Sequence, residues 1–547
     1  MKNVDRALER SYWQADKRDE LVELTAGDIL RQAALRHPDR VALIEVVPAN
    51  TESLTGALGT NRRWSYAQLL DESLQCAKWL LNQFQVGDRI CVFAPNVPEW
   101  VVLQYGAALA GLVLVTANPA LRAPELAYVL SQSKVAGILY VRSFRGADMH
   151  AIVREAATAS VKAFCMDSWD GVVRGFDGDA SLPVVSPDDP AQIQYTSGTT
   201  GHPKGALLHH KGLVNNARFV AARAGIDGSI VLSPMPLFHT AGAVLSSLGC
   251  MATGSTFVLP LMFEPTLMMT TIQDEKCAFF FGVPTMQIAM LEHPMRKEFE
   301  LSSLKVAISG GAPVPPELLR RIEEGFGCDL LTVYGQTETS PIISQTSRGD
   351  TFDDKARTAG RPLPQVDVRI ADPATGQPVA VDEEGEIEAR GYQTMLGYFD
   401  MPEATRHAIR AEGWLRTGDL GRMDHRGYLR LTGRLKDMII RGGENIYPVE
   451  IEARLMQHPS VANVAVFGRD DPEWGEVVCA AVQMREGSAT ASIEALKAHC
   501  RSHLSPHKIP VEWFECSSFP LTGSGKIQKF RLKEMARSGV LSPLDIR

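Results

Sequence analysis

The sequence predicts an α/β fold. A large multi-subdomain N-terminal domain would carry mainly parallel sheets and a small antiparallel β subdomain, followed by a small α+β C-terminal domain. Three observations carry this expectation. Through much of the first 430 residues, short apolar strand-like runs alternate with helix-like segments, the rhythm of parallel sheets. Beyond residue 360 the texture changes, and runs such as "GEIEARG" and "GWLRTGDLGRMDHRGYLRLTGR" read as antiparallel strands, with His425-Arg426-Gly427 at one tip. After Arg434 an αβ pattern returns on a smaller scale in "LKDMIIRGGENIYPVEIEARLMQHPSVANVAVFG". The domain boundary is therefore placed at Arg434/Leu435, giving domains 1–434 and 435–547.

Taken in order, each element has a local reason. Thr25 with Asp28 opens a helix over "ILRQAALRHP", an acidic residue in its first turn. Ser65 and Gln68 have capping-box spacing before "LLDESLQCAKWLLNQ". The uncharged run from Val101 to Leu121 is long enough to cross a bilayer. It is interrupted by Gln104, Thr116, Asn118 and Pro119 and changes character near Gly111, so it reads as a buried helix followed by a buried parallel strand. Further on, "SIVLSP", "STFVL", "AFFFG", "LKVAISGG" and "LLTVYG" are strands separated by helices. Among these, "PTMQIAMLEH" has Pro284 in its first turn. In such sheets ligands bind beyond the carboxyl ends of the strands. The glycine-rich loops after Tyr195, Ser309 and Tyr334 all fall there.

Composition bounds the function. The 547 residues are 45% hydrophobic and 22% charged with net charge −8, ordinary for a globular chain, and no basic run marks a nucleic-acid surface. Nine cysteines lack any C-x-x-C pair, which predicts reduced thiols in the cytoplasm and no zinc site. The charged N-terminus lacks the apolar core of a signal peptide. Neither a G-x-S-x-G nucleophile elbow nor an H-E-x-x-H helix is present.

The stretch "YTSGTTGHPKGA", residues 195–206, is either a linker or a phosphate loop. Its glycines let successive backbone N–H groups face an anion, the hydroxyls of Thr196, Ser197, Thr199 and Thr200 add donors, and Lys204 adds a mobile cation. It is not a Walker A loop, because Pro203 precedes the lysine and Gly205 follows it.

This stretch resembles the signature loop of the adenylate-forming superfamily. Six further motifs occur in the family's order: "PLFHTAG" (236–242), "SGGAPVP" (309–315), "YGQTE" (334–338), "GWLRTGDLG" (413–421), "GRLKDMIIRGGENIYPVEIE" (433–452) and "PLTGSGKIQK" (520–529). The C-terminal third is most similar to medium-chain acyl-CoA synthetases. The resemblance implies that a carboxylic acid, medium-chain or aromatic, attacks ATP to give an acyl-adenylate and pyrophosphate, and that CoA then takes the acyl group. An amide synthetase or a carrier-protein acceptor is the alternative, and a silent nucleotide-binding scaffold is a third reading.

The resemblance also implies roles. The loop from Thr196 through Gly198 and Gly201 to Lys204 would hold the β- and γ-phosphates. Tyr334 would pack on adenine, Thr337 would contact the α-phosphate, and Glu338 would be the magnesium ligand. Taken alone, Glu338 reads as a solvated loop glutamate. Gly310, Gly311, Ala312, Pro313, Gly335 and Gln336 complete the nucleotide set. Asp419 and Arg434 would hold the ribose; taken alone they are a turn aspartate and a surface ion-pair partner. His239 would be a gate or wall between acid pocket and CoA tunnel, with Phe279 to Phe281 an apolar wall. Lys436 would be the hinge about which the C-terminal domain turns. Gly442 and Gly443 would line the pantetheine tunnel or else form a simple turn. Lys526 would bridge the acid and the α-phosphate.

Two outcomes follow from these roles. Lys526→Ala should slow adenylate formation at least about a hundredfold, the order for losing a transition-state charge contact; near-normal adenylate formation would refute the assignment. Lys436→Pro should impair one half-reaction and spare the other, measured separately. Equal loss of both would count against a hinge.

Overall fold

A computed structural model describes residues 7–49, 51, 61–196, 203–312, 314–442, 444–485, 492–521 and 527–544. The chain divides into two compact units. The larger comprises Trp13–Val368 and Ala389–Leu415; the smaller comprises Met1–Tyr12, Arg369–Glu388 and Arg416–Arg547.

The larger unit is the expected α/β architecture. One sheet runs in the order Gly397–Tyr398, Lys204–His209, Pro190–Thr196, Val113–Ala117, Arg89–Phe93, Gly137–Tyr140, Lys162–Cys165. Its strands from Pro190–Thr196 to Lys162–Cys165 are parallel neighbours. The second sheet runs Arg361–Pro362, Ile342–Gln345, Asp329–Gly335, Val306–Gly310, Phe279–Gly282, Ile230–Leu232, Thr256–Pro260, Val41–Val46, Arg63–Ser65. The six strands from Asp329–Gly335 to Val41–Val46 are parallel, with antiparallel strands at both edges.

The helices start where the sequence says. Thr25 and Asp28 close a reciprocal capping box on Ala26–Arg36, and Ser65 with Gln68 does the same on Tyr66–Gln83. The uncharged run splits as expected, into a helix Pro98–Leu109 buried on every side and the strand Val113–Ala117. Gly111 sits between them at φ +66°, a left-handed position that glycine takes without strain. Among the described residues no helix is long and apolar enough to cross a membrane.

One core of the larger unit packs Met268, Met290, Leu319 and Ile322 from helices against Phe280, Ala307 and Leu330 of the second sheet. This narrows one expectation. Successive strand residues point to opposite faces, so Phe280 belongs to the helix-covered core, and only Phe279 and Phe281 can face the other side.

In the smaller unit, the long hairpin Val461–Asp471 with Gly475–Met484 is buried on both faces. Val464, Val466, Val478 and Val482 pack on Ile451 and Leu496, while Ala465, Phe467, Val477 and Cys479 pack toward Leu532. The strands Tyr12–Trp13, Val366–Ala371, Gly385–Gly391, Leu415–Met423 and Leu429–Arg434 form a five-stranded sheet in that order. Its last two, Leu415–Met423 and Leu429–Arg434, are antiparallel, and Gly427 at φ +83° lies in the expected tip.

His210, at the start of helix His210–Ala224, is 1% exposed. Its Nδ1 accepts the Ala26 N–H at 3.3 Å, so the ring is neutral with its proton on Nε2. Burial, opposed by the Asp189 and Asp28 charges, pushes its pKa down to about 4. The unfolded chain thus binds more protons between the ordinary histidine value and that level, so stability is full above the unfolded pKa and lost as pH falls through the window. Taking the pH from neutral to mildly acidic should cost the wild type about 2 kcal/mol more than His210→Gln. Equal acid sensitivity in denaturant unfolding would contradict this.

Candidate active site

The carboxyl ends of the two parallel sheets face one another in the larger unit, and side chains fasten them together. Asn96, just beyond the strand Arg89–Phe93, donates through Nδ2 to the carbonyls of Met235 (3.2 Å) and Pro260 (3.3 Å) and accepts the Leu237 N–H at 2.9 Å. Those acceptors lie at or beyond the ends of strands Ile230–Leu232 and Thr256–Pro260. Beside this, Thr116 Oγ1 donates to the Phe238 carbonyl at 2.8 Å. A crevice lined by strand ends is where an open α/β fold binds ligands.

The glycine-rich stretch after Tyr195 is the connection of a hairpin. Thr196 pairs with Lys204 and Tyr195 with Gly205, so the two stems of the loop are locked side by side. Thr196 Oγ1 also donates to the Lys204 carbonyl, at 3.4 Å. The stems are braced from one side: Tyr195 Oη donates to Gln132 Oε1 at 2.6 Å and Tyr128 Oη donates to the Pro203 carbonyl at 2.9 Å. Ser197, Gly198, Thr199, Thr200 and Gly201 lie outside the described residues.

The "YGQTE" stretch begins in the strand Asp329–Gly335 of the second sheet. Gly335 has no room for a side chain, since a Cβ there would sit 2.0 Å from the Pro341 carbonyl oxygen. Thr337 to Thr339 then make a tight 3-10 turn, closed by the Gln336 N–H donating to Thr339 Oγ1 at 3.2 Å. Tyr334, Thr337 and Glu338 are 8%, 9% and 8% exposed, so Glu338 is a buried carboxylate and not a solvated loop residue. Strand register sets Gly310 beside Val333, and Gly311 and Ala312 follow directly beyond that paired end. Gly311 has φ +79°, the turn that only glycine makes cheaply. Pro313 lies outside the described residues.

Glu338 is met by a residue that sequence reasoning missed. Tyr398 donates its hydroxyl to Glu338 Oε1 at 2.7 Å. Burial first, and then the Glu338 charge, push the phenol far above its ordinary pKa, so it stays protonated and remains a donor. Lys204 Nζ lies over the face of the same ring, 5.1 Å from its centroid. One aromatic side chain thus joins the lysine of the phosphate-loop stem to the carboxylate of the opposite sheet.

His239 is half-buried in the turn after strand Ile230–Leu232. Its Nδ1 accepts the Ala241 N–H at 3.2 Å, which puts the proton of the neutral ring on Nε2. Gly242 is required there, because a Cβ would come within 2.3 Å of the Pro236 carbonyl oxygen.

Asp419, Arg434, Lys436 and Gly442 belong to the smaller unit. Asp419 and Arg434 are direct cross-strand partners, and Arg434 Nε donates to Asp419 Oδ1 at 2.8 Å. The aspartate is 7% exposed. Its turn is held by a second missed residue: Glu386, 1% exposed, accepts from Arg416 Nε at 2.9 Å and the Gly418 N–H at 3.1 Å. Lys436 is exposed in the short 3-10 turn Leu435–Asp437. Gly442 has φ +58°, donates its N–H to the Trp474 carbonyl at 2.7 Å, and lies under the Trp474 ring. Gly443 and Lys526 lie outside the described residues.

Magnesium was expected at Glu338, and the donor chemistry fits. A buried carboxylate with one oxygen already hydrogen-bonded is a hard, oriented oxygen ligand. Among the described residues no group of three or more His, Cys, Asp or Glu is placed to hold a metal. Magnesium commonly takes one or two protein carboxylates and leaves the rest to phosphates and water.

Residues 30–399 match the model of the AMP-binding enzyme family, and residues 450–526 match the AMP-binding enzyme C-terminal domain. The Bacillus subtilis (strain 168) protein named acyl-CoA synthetase YngI is 38% identical, over 94% of this chain and 97% of its own length. The human mitochondrial protein named medium-chain acyl-CoA ligase ACSF2 is 34% identical, over 96% of this chain and 89% of its own. Among solved structures, o-succinylbenzoate CoA synthetase (MenE) from Bacillus subtilis, in complex with its acyl-adenylate intermediate, superposes with a TM-score of 0.81. It is 29% identical, over 94% of this chain and 99% of that one.

Proposed function

The chain belongs to the AMP-binding enzyme family, and we infer that it is an AMP-forming acid–thiol ligase that makes acyl-CoA in two steps. In the first, a carboxylate oxygen attacks the α-phosphorus of ATP; the new O–P bond gives an acyl-adenylate, and the bond to pyrophosphate breaks. In the second, the CoA thiol attacks the acyl carbon, AMP leaves with the carboxylate-derived oxygen, and one proton is released. The observation that carries this reading is similarity along nearly the whole chain to proteins named acyl-CoA synthetase or acyl-CoA ligase, with the described motif residues of the larger unit at strand ends where its two sheets meet.

The residues divide the work by charge. The first step brings two anions together, so positive charge and N–H donors must be in place beforehand. Lys204 and the loop between the paired Thr196 and Lys204 receive the β- and γ-phosphates. Tyr334 offers its ring to the adenine beside Gly310, Gly311 and Ala312. Thr337 donates toward the α-phosphate, and Glu338 holds magnesium, which when bound screens the triphosphate charge. Asp419, oriented by Arg434, accepts the ribose hydroxyls. Lys526 bridges acid and α-phosphate. Lys436, just past the Arg434/Leu435 boundary, is the hinge, and Gly442 and Gly443 line the pantetheine path after rotation. His239 stands at the acid side as a gate. The bonded Nδ1 leaves it no base role at that nitrogen, and a thiolate needs little help from one.

The acid is proposed as medium-chain or aromatic, supported by the name of the human relative and by Phe279 and Phe281 on the face away from the helix core. A cytoplasmic, reducing setting is proposed on the nine cysteines, all present as free thiols.

Purified protein with ATP and magnesium should convert medium-chain or aromatic acids to acyl-CoA and AMP, read by mass spectrometry. Acyl-adenylate accumulating without thioester would redirect the acceptor to an amine or carrier protein. No adenylate from short, medium, long or aromatic acids would overturn the reading.

A further inference from the structure

We propose that Tyr398 is a positioning residue for the adenylation step, setting Glu338 through its hydroxyl and Lys204 through its ring. The proposal rests on the AMP-forming reading above. Tyr398 lies in none of the motifs that carry the resemblance, and its position is built with care. Its strand Gly397–Tyr398 pairs with Lys204–His209, Ala206 opposite Tyr398 and Leu207 opposite Gly397. The Phe399 N–H donates to the Gly205 carbonyl at 2.8 Å, and the Met395 N–H donates to the Glu338 carbonyl at 2.9 Å. The segment 395–399 is therefore stitched to the phosphate-loop stem on one side and to the Glu338 turn on the other.

Two further features fix the ring. Gly397 has φ +143°, and a Cβ there would meet Thr405 at 2.9 Å, so glycine is required. Thr405, in the helix Pro402–Ala408, accepts the Tyr398 N–H through Oγ1 at 2.9 Å. With the backbone held at both faces, the side chain has one place to go, between Lys204 and Glu338. The hydroxyl then aims one carboxylate oxygen, and the electron-rich face holds the ammonium. The two groups carry opposite charges, and an intervening ring keeps them apart. A direct lysine–glutamate ion pair would take both away from the phosphates and the metal.

The two contacts can be cut separately. Tyr398→Phe removes the hydroxyl and keeps the ring; Tyr398→Leu removes both. Full-length variants are titrated with ATP by calorimetry, without magnesium and across a magnesium series, and acid-dependent pyrophosphate release is measured alongside. Without magnesium, Tyr398→Phe should bind ATP like the wild type, and Tyr398→Leu should bind several-fold more weakly, a loss of the order expected for a cation–π contact. With magnesium, both variants should need about tenfold more metal for half-maximal tightening, the order for losing a hydrogen bond to a charged group. kcat for pyrophosphate release should fall by at least a similar factor. Adding Tyr398→Phe to Glu338→Gln should change the magnesium midpoint no further, because the two act through one contact.

A merely structural tyrosine would lower the unfolding temperature, leave the magnesium midpoint in place, and add to Glu338→Gln independently. That result, or a Tyr398→Phe enzyme with wild-type midpoint and kcat, would overturn the proposal. If the wild type binds ATP but releases no pyrophosphate with any acid, the function reading fails, and the magnesium midpoints still decide for or against Tyr398. Failure of the wild type to bind ATP would overturn both.

Discussion

The larger unit depends on one constraint: two parallel sheets must present their carboxyl ends to each other and stay registered. Strand packing alone does not enforce that, because the strand ends carry loops whose backbone groups need partners. Three side chains supply the registration. Asn96 ties turns beyond the second sheet to the end of a strand in the first. Thr116 repeats this at Phe238. Tyr398 reaches from the edge of the first sheet to Glu338 on the second. The described motif residues of the larger unit lie at or beyond strand ends in this zone, so the geometry of the chemistry is a consequence of how the sheets are fastened.

The parts legible in the sequence were those governed by local rules. Capping boxes at Thr25 and Ser65, the break at Gly111 and the proline-led helix at Pro284 all follow from propensity, periodicity and turn chemistry. The strand leading into the phosphate loop was legible too, because an apolar run ending in a Gly/Ser/Thr stretch predicts a strand-end loop; the returning strand Lys204–His209 was not. The apolar wall at Phe279 to Phe281 was read too broadly. Three adjacent aromatics look like one surface in a string of letters, yet a strand sends Phe280 the other way, into the helix-covered core.

Tyr398, Glu386 and Asn96 were not legible, for a shared physical reason. Each acts through a contact far along the chain: Tyr398 is 60 residues from Glu338, and Glu386 is 30 from Arg416. No local pattern encodes such pairings. The one local hint was the tight "GYFDMPEAT" stretch, where a glycine, a tyrosine and a proline-led helix with a threonine crowd a short strand. Glu386 gave no such hint: inside "GEIEARG" it sits on the polar side of a regular two-residue alternation, and only the structure shows that side buried.

The proposed chemistry turns on a carboxylate oxygen of the acid attacking the α-phosphorus of ATP. The most direct measurement supplies an acid labelled with 18O in both carboxylate oxygens, runs the reaction to acyl-CoA, and reads the isotopic mass of the AMP formed. One 18O atom is expected in the phosphate of AMP and one in the thioester carbonyl. Unlabelled AMP, or label appearing in inorganic phosphate or pyrophosphate, would contradict it.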